Sequence, residues 1–363
     1  MNIWIPLYLG LVTSLVGGVL VGPVAYWVIS KGANPLRTVK VATILLGLLL
    51  LPGIIGLAVF LLTLLGFMWV QILLVLAAVF IFQYLFAPDF VLRGLRARDP
   101  LPSEAWLLDT LSELKARMGY KKKVELKVAE VEIPNAFAVG NIFRRAIVVH
   151  RGLLGVLDRG EVKAVLAHEL GHIVDRDSAY GIATSFIPYA VFMLGMVALA
   201  SAGAFASGRA CFANSSAGKF MQSFMDGMST GARAYDVSGS LAAGLLGFFG
   251  AVLVGFAGVA GIGVLGFSRM REHLADLYSV VVTGDSGVVD ALAKIERAVS
   301  SLREGNAGVP SLRNMFYIVP LLYSGMFGFA GFLRWSKPAF THPPFEAREF
   351  VVRAFQTVRG KTG

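Results

Sequence analysis

Residues 161–174 read Glu161-Val-Lys-Ala-Val-Leu-Ala-His168-Glu169-Leu170-Gly171-His172-Ile-Val174. The stretch reads as one helix. On a helix, residues four apart lie on one face, a turn above one another. His168 and His172 can therefore offer two imidazole nitrogens to one cation. Glu169 stands beside that pair, where a carboxylate can take a proton from a metal-bound water. Five residues alone recur by chance. A second string a hundred residues on, Ser268-Arg-Met-Arg-Glu272-His-Leu-Ala-Asp276, gives the first its weight.

A catalytic zinc takes three protein ligands and keeps a position open. Glu272 is the third candidate, with His273 as the alternative. The two point about 100° apart on a helix, so only one of them faces the metal. Asp276, one turn beyond Glu272, is placed to hydrogen-bond the far nitrogen of a ligating histidine or to pair with Arg269 or Arg271. His150 follows no ligand spacing and reads as structural. The single cysteine, Cys211, excludes an internal disulfide and a cysteine-built zinc site.

Composition supplies the setting. Soluble proteins carry about 25% charged residues. Here 15% are charged and 56% hydrophobic, with a mean hydropathy of +0.69, which is a membrane composition. The net charge of +10 reads as basic flanks of apolar segments facing anionic lipid, not as a nucleic-acid surface. Residues 3–30, 41–87, 178–208 and 237–268 are uncharged. One span needs about 20 residues, so 41–87 divides into two helices turning near Gly66, and about five spans are expected. The first lacks a basic n-region and a small-x-small cleavage site and reads as an uncleaved anchor. The glycines of 237–268, among them Gly250 and Gly255, read as ordinary membrane-helix composition.

Three basic clusters set the orientation: Lys31, Arg37 and Lys40; Arg93, Arg96 and Arg98; Arg269 and Arg271. Five spans starting outside put all three on one face, the cytoplasmic one. The loop 209–236 then lies outside. The polar remainder forms a second region. Residues 103–118 read as an amphipathic helix capped by Ser103. Val124 to Val131 and Ile142 to His150 read as strands, with Asn135-Ala136-Phe137-Ala-Val-Gly140 between them. Val288, Leu292, Ile295, Val299 and Leu302 mark a further amphipathic helix. The expected organisation is an N-terminal transmembrane region over 1–88, a first polar part over 89–177, a transmembrane hairpin over 178–268 and a second polar part over 269–363.

HELGH, with Ser-Arg-x-Arg-Glu-x-x-Ala-Asp downstream and Asn-Ala-Phe-Ala upstream, resembles the HtpX family of membrane zinc metalloproteases and, in outline, the CAAX prenyl proteases. The likeness runs from about residue 100 to 350. It implies a mainly α membrane protein whose α+β zincin-like metalloprotease domain is split by the transmembrane hairpin. It implies Glu272 as third ligand to one zinc ion and Glu169 as general base. Thr341-His342-Pro-Pro-Phe-Glu-Ala-Arg348 looks like the family's late motif, whose histidine would serve the oxyanion with the arginine supporting it. Asn135, Ala136 and Phe137 would lie on the edge that holds substrate backbone. Two features depart from the family plan: a third leading span, and the uncharged stretch Asn314 to Leu333. The latter is expected to lie in the interface or over the cleft, because a sixth span would carry His342 to the wrong side.

The expected function is a membrane-anchored endopeptidase cleaving misfolded or damaged membrane proteins at the cytoplasmic face of the cell membrane. Its partners would be those substrates and the lipid bilayer, with no nucleic acid. A selective processing protease of the prenyl-protein type would want more spans. A non-enzymatic zinc scaffold would want a fourth ligand and has no use for Glu169. An intramembrane protease would bury the motif inside a span, whereas Asp175, Arg176 and Asp177 follow it within about one turn.

Overall fold

A computed structural model describes residues 4–65, 67–201, 240–305 and 343–362. Three helices lead: α1 (Trp4–Ser30), α2 (Pro35–Leu65) and α3 (Phe67–Gly94). A 3₁₀ turn (Pro102–Glu104) enters α4 (Trp106–Arg117), followed by β1 (Glu125–Ala129), β2 (Ala136–Gly140) and β3 (Arg145–His150). Then come α5 (Arg151–Val156), α6 (Arg159–Val174), α7 (Asp177–Ser201), α8 (Ser240–Thr283), α9 (Gly287–Gly305) and α10 (Phe345–Thr362). Wherever they are described, the expected spans are helical. Among the described residues, three helices are long and apolar enough to cross a membrane, over Gly10–Ser30, Pro35–Gly56 and Gly247–Thr283. The segment 314–333, the loop 209–236 and His342 lie outside the described residues.

The sheet has the order β1-β3-β2, with β1 parallel and β2 antiparallel to β3. The sequence places 135–140 between two strands; it is itself the edge strand. Asn141 makes this possible by closing a tight turn. Its side-chain oxygen accepts from the backbone N–H groups of Phe143 (2.8 Å) and Arg144 (2.7 Å). Residues 142–144 therefore form the turn and not the start of β3. Ser103 is also not a helix cap. Pro102 starts the 3₁₀ turn, and the cap residue of α4 is Ala105, which offers no side-chain acceptor. Glu104 accepts from the Leu101 N–H instead (2.8 Å), held by two bonds from Arg98.

Leu107 and Leu114 from α4, Ile147 and Val149 from β3, and Leu166 and Leu170 from α6 form a fully buried core. Each contributes roughly 1.5–3 kcal/mol by leaving water. The core seats α6 against the sheet. At the start of α6 a capping box locks the entry, Asp158 accepting from Glu161 N–H (2.9 Å) and Glu161 from Asp158 N–H (3.0 Å).

The other face of α6 packs on α8. Gly171 lies at this contact, where a Cβ would meet the Ala275 backbone and the Tyr278 side chain at 3.4 Å, an ordinary packing distance. The Ser279 hydroxyl of α8 donates to the Ala164 carbonyl of α6 (2.7 Å), which helps hold the two helices that carry the two strings side by side. α8 runs unbroken from Ser240 to Thr283, through the boundary expected at 268. No proline interrupts it, so the apolar stretch and the Glu272 string form one rigid rod. The glycine reading needs correction at three positions, since a Cβ on Gly263 or Gly266 would come within 3.2 Å of the α1 backbone. Gly255 meets nothing, but Gly250 packs against Gly195 of α7, where a Cβ would come within 2.8 Å of its carbonyl. That is a close helix crossing and not mere composition.

Candidate metal centre and its edge strand

His168 and His172 lie on the face of α6 that meets α8, and α8 presents Glu272 to them. One ligand atom from each of the three falls within 4.8 Å of the others. The two Nε2 atoms are 3.1 Å apart. The Glu272 oxygens stand 3.7 Å from His168 Nε2 and 3.6 Å from His172 Nε2. His273 is not part of the cluster. It is wholly buried, and its Nε2 meets the Tyr26 hydroxyl at 2.5 Å.

The far nitrogens decide what the near ones want. His168 Nδ1 faces Asp276 at 3.0 Å, and His172 Nδ1 faces Asp177 at 2.5 Å. A carboxylate at Nδ1 places the proton there. Both Nε2 atoms are then bare lone pairs aimed at one another, an arrangement that calls for a cation between them. Two imidazoles and a carboxylate suit zinc. Tetrahedral bonds of about 2.0–2.2 Å put ligands roughly 3.3 Å apart, close to the separations found.

Asp177 is the member of this set that sequence reasoning missed. Asp175, Arg176 and Asp177 read as the polar edge of a membrane segment. Arg176 takes φ 56°, a left-handed conformation that ends α6 and swings the chain back, carrying Asp177 over His172. Arg271 holds it there by an ion pair with Asp177 and a 2.9 Å bond to the Asp175 carbonyl, its guanidinium lying over Tyr180. A carboxylate a few residues beyond a ligating histidine was the available signal. Replacing Asp177 by Ala is expected to weaken metal affinity about 10–100-fold. Competition with a chelating dye measures it, and unchanged affinity would reduce Asp177 to a partner of Arg271.

Asp276 does pair with an arginine, but with Arg348 of α10 and not with its helix neighbours. Arg348 Nε donates to Oδ2 (2.7 Å) and a terminal nitrogen to Oδ1 (2.5 Å), both side chains being buried. Another Arg348 nitrogen lies 4.0 Å from Glu272. Arg348 thus stands behind the ligands, where it positions Asp276. Burial opposes the guanidinium's charge, but Asp276 more than compensates and keeps it protonated.

Glu169 is 8% exposed. Burial pushes its carboxyl up from the ordinary range; His168 and His172 oppose that, and Glu272 adds to it. The Ala138 backbone N–H donates to it. That bond ties the helix to the edge strand. His150 N–H bonds to the Asn135 carbonyl, and Asn141 N–H to that of Arg144, so the odd residues of β2 face β3. The backbone of Ala136, Ala138 and Gly140 therefore turns to the open edge beside Glu169. Asn135 leads into this strand with its side-chain amide nitrogen buried and unpaired among the described residues. Phe137 packs on the opposite face, with Leu92 and Val148 and edge-on to His150. His150 has the structural place expected: it is buried, bonds the Ile133 carbonyl (3.0 Å), and burial lowers its pKa.

The model of Peptidase family M48 matches residues 102–354, more than two thirds of the chain. A "Protease HtpX homolog" of Aeropyrum pernix is 36% identical over 228 residues, 62% of this chain and 62% of that protein. One of Thermoplasma acidophilum is 30% identical over 63% of this chain and 64% of its own length. Another, of Thermococcus sibiricus, is 29% identical over 74% and 80%. The chain thus spans a little under two thirds of the first two relatives. No solved structure matches.

Proposed function

The chain belongs to Peptidase family M48, and on that premise we propose that it is a membrane-anchored zinc endopeptidase. The observation that carries the reading is the pair of Nε2 atoms 3.1 Å apart, closed by Glu272, with Glu169 beside them against the edge strand. His168, His172 and Glu272 would hold the ion, and Asp276 and Asp177 would fix the two imidazoles. The chemistry a zinc ion supplies there is Lewis acidity toward water and a carbonyl oxygen.

The chain's own residues do the rest. Glu169 takes the proton of the attacking water and later returns it to the leaving amine. Substrate backbone adds to β2 along Ala136, the Ala138 carbonyl and Gly140, with Asn135 at its head. Phe137 and Val139 are packed on one sheet face with Leu92 and Val148, which makes recognition along the edge depend more on backbone than on side chains. His342 donates to the developing oxyanion. Broad recognition of this kind suits removal of misfolded or damaged membrane proteins. With α7 and α3 counted beside the three helices long and apolar enough to cross, five spans and the basic clusters between them would put the peptidase domain at the cytoplasmic face of the cell membrane. The α7–α8 hairpin splits that domain, bringing Glu272 back to the side it left at His172.

Purified protein should carry one zinc per chain and cleave an unfolded model substrate. Chelation should abolish cleavage and zinc should restore it. Stoichiometric zinc without any cleavage would favour a structural metal scaffold instead.

A further inference from the structure

A cleft of about 170 Å³ opens next to the centre. Ala138 and Gly140 of the edge strand and His172 line it, together with Lys122, Arg145 and Arg176 and with uncharged residues that include Tyr84, Ile142 and Ile173. Among the described residues, no carboxylate lies within ion-pair distance of these three cations. Their neighbours are different: Arg144 binds Asp89 and Glu125, Arg98 binds Glu104 and Glu130, and Arg271 binds Asp177. Three uncompensated cations around one concavity repel each other and favour an anion. Arg145 lies along the strand, since a Cβ on Gly140 would touch its Cγ at 3.3 Å. Arg176 holds its place through a backbone conformation unusual for any residue but glycine, φ 56°.

We infer that this cleft is a specificity pocket for an acidic side chain of the substrate, about two residues from the scissile bond. The inference rests on the peptidase reading above and adds a substrate preference to it. The distance follows from the strand. Glu169 bonds Ala138, so the reacting carbonyl sits opposite Ala138, and Gly140 is two residues further along the edge. A peptide is favoured over a lipid headgroup because the lining includes the strand edge itself and His172 of the candidate metal centre.

The test uses one unfolded peptide sequence with Asp, Ala or Lys at each of the positions flanking a single cleavage site. The full-length protein in nanodiscs of neutral lipid, and in a second set with added anionic lipid, supplies two readouts: turnover by wild type, and peptide affinity of Glu169→Gln by fluorescence anisotropy. A well-placed exposed ion pair is worth up to about fivefold. Asp should therefore exceed Lys by about tenfold in kcat/KM and in affinity at one position two residues from the bond. The preference should shrink as salt rises. In the Lys122→Glu/Arg145→Glu variant the Asp-to-Lys ratio should fall below one. Equal handling of all three peptides by wild type, or a ratio the charge reversal leaves intact, overturns the pocket. So does turnover that follows anionic lipid content while ignoring peptide charge, which would make the cleft a headgroup site. Absence of any cleavage by zinc-loaded protein would instead count against the peptidase reading, and the affinity series would still decide the pocket.

Discussion

Glu169→Gln should leave the metal bound and remove nearly all proteolysis, a loss of about 10² to 10⁴-fold in kcat. The substitution is isosteric. Its amide oxygen can still accept from the Ala138 N–H, so the link between α6 and β2 survives. His168, His172 and Glu272 are untouched, and so are the carboxylates at their far nitrogens. What is lost is one proton acceptor. Burial makes this carboxyl more basic than an exposed glutamate, which strengthens it as a base and gives an amide no means of replacing it. Metal analysis and initial rates on one preparation check the result. Full activity in that variant would sink the general-base assignment, and metal loss would show that Glu169 holds the ion.

The strings that carry chemistry were legible because the helix period relates residues that are near in sequence. His168 with His172, and Glu272 with Asp276, are one turn apart, and the face each pair occupies follows from spacing alone. The apolar segments were legible for a similar reason, since length and absence of charge need no partner. What sequence reading missed depends on where the chain goes next. Asp177 reaches His172 only because Arg176 adopts a left-handed conformation, and no composition signal marks a non-glycine residue for that. The strand at 136–140 is a strand because Asn141 turns the chain and β3 lies alongside. Its apolar residues alternate too weakly to announce it. Asp276 had two arginines close in sequence, but it chose Arg348, 72 residues away, because α10 docks its buried Val351, Val352 and Phe355 beside Leu274 and Leu277 of α8.

That last pairing carries the second large effect. Arg348→Ala should destabilise the protein by about 3–5 kcal/mol, the cost of leaving a buried carboxylate without its partner. Asp276 is 1% exposed and accepts two bonds from the guanidinium, so no water is placed to replace them. The same carboxylate orients His168, and losing its clamp should also weaken metal affinity. Arg348→Lys restores the charge but not the two-pronged geometry and should recover only part of both losses. Thermal unfolding in detergent, with and without metal, separates the two contributions. A destabilised variant that binds metal as tightly as wild type would confine Arg348 to holding α10 on α8. A variant as stable as wild type would mean that Asp276 takes up a proton when Arg348 is gone. In that case His168 would lose the anion that fixes its tautomer, and the metal affinity would fall alone.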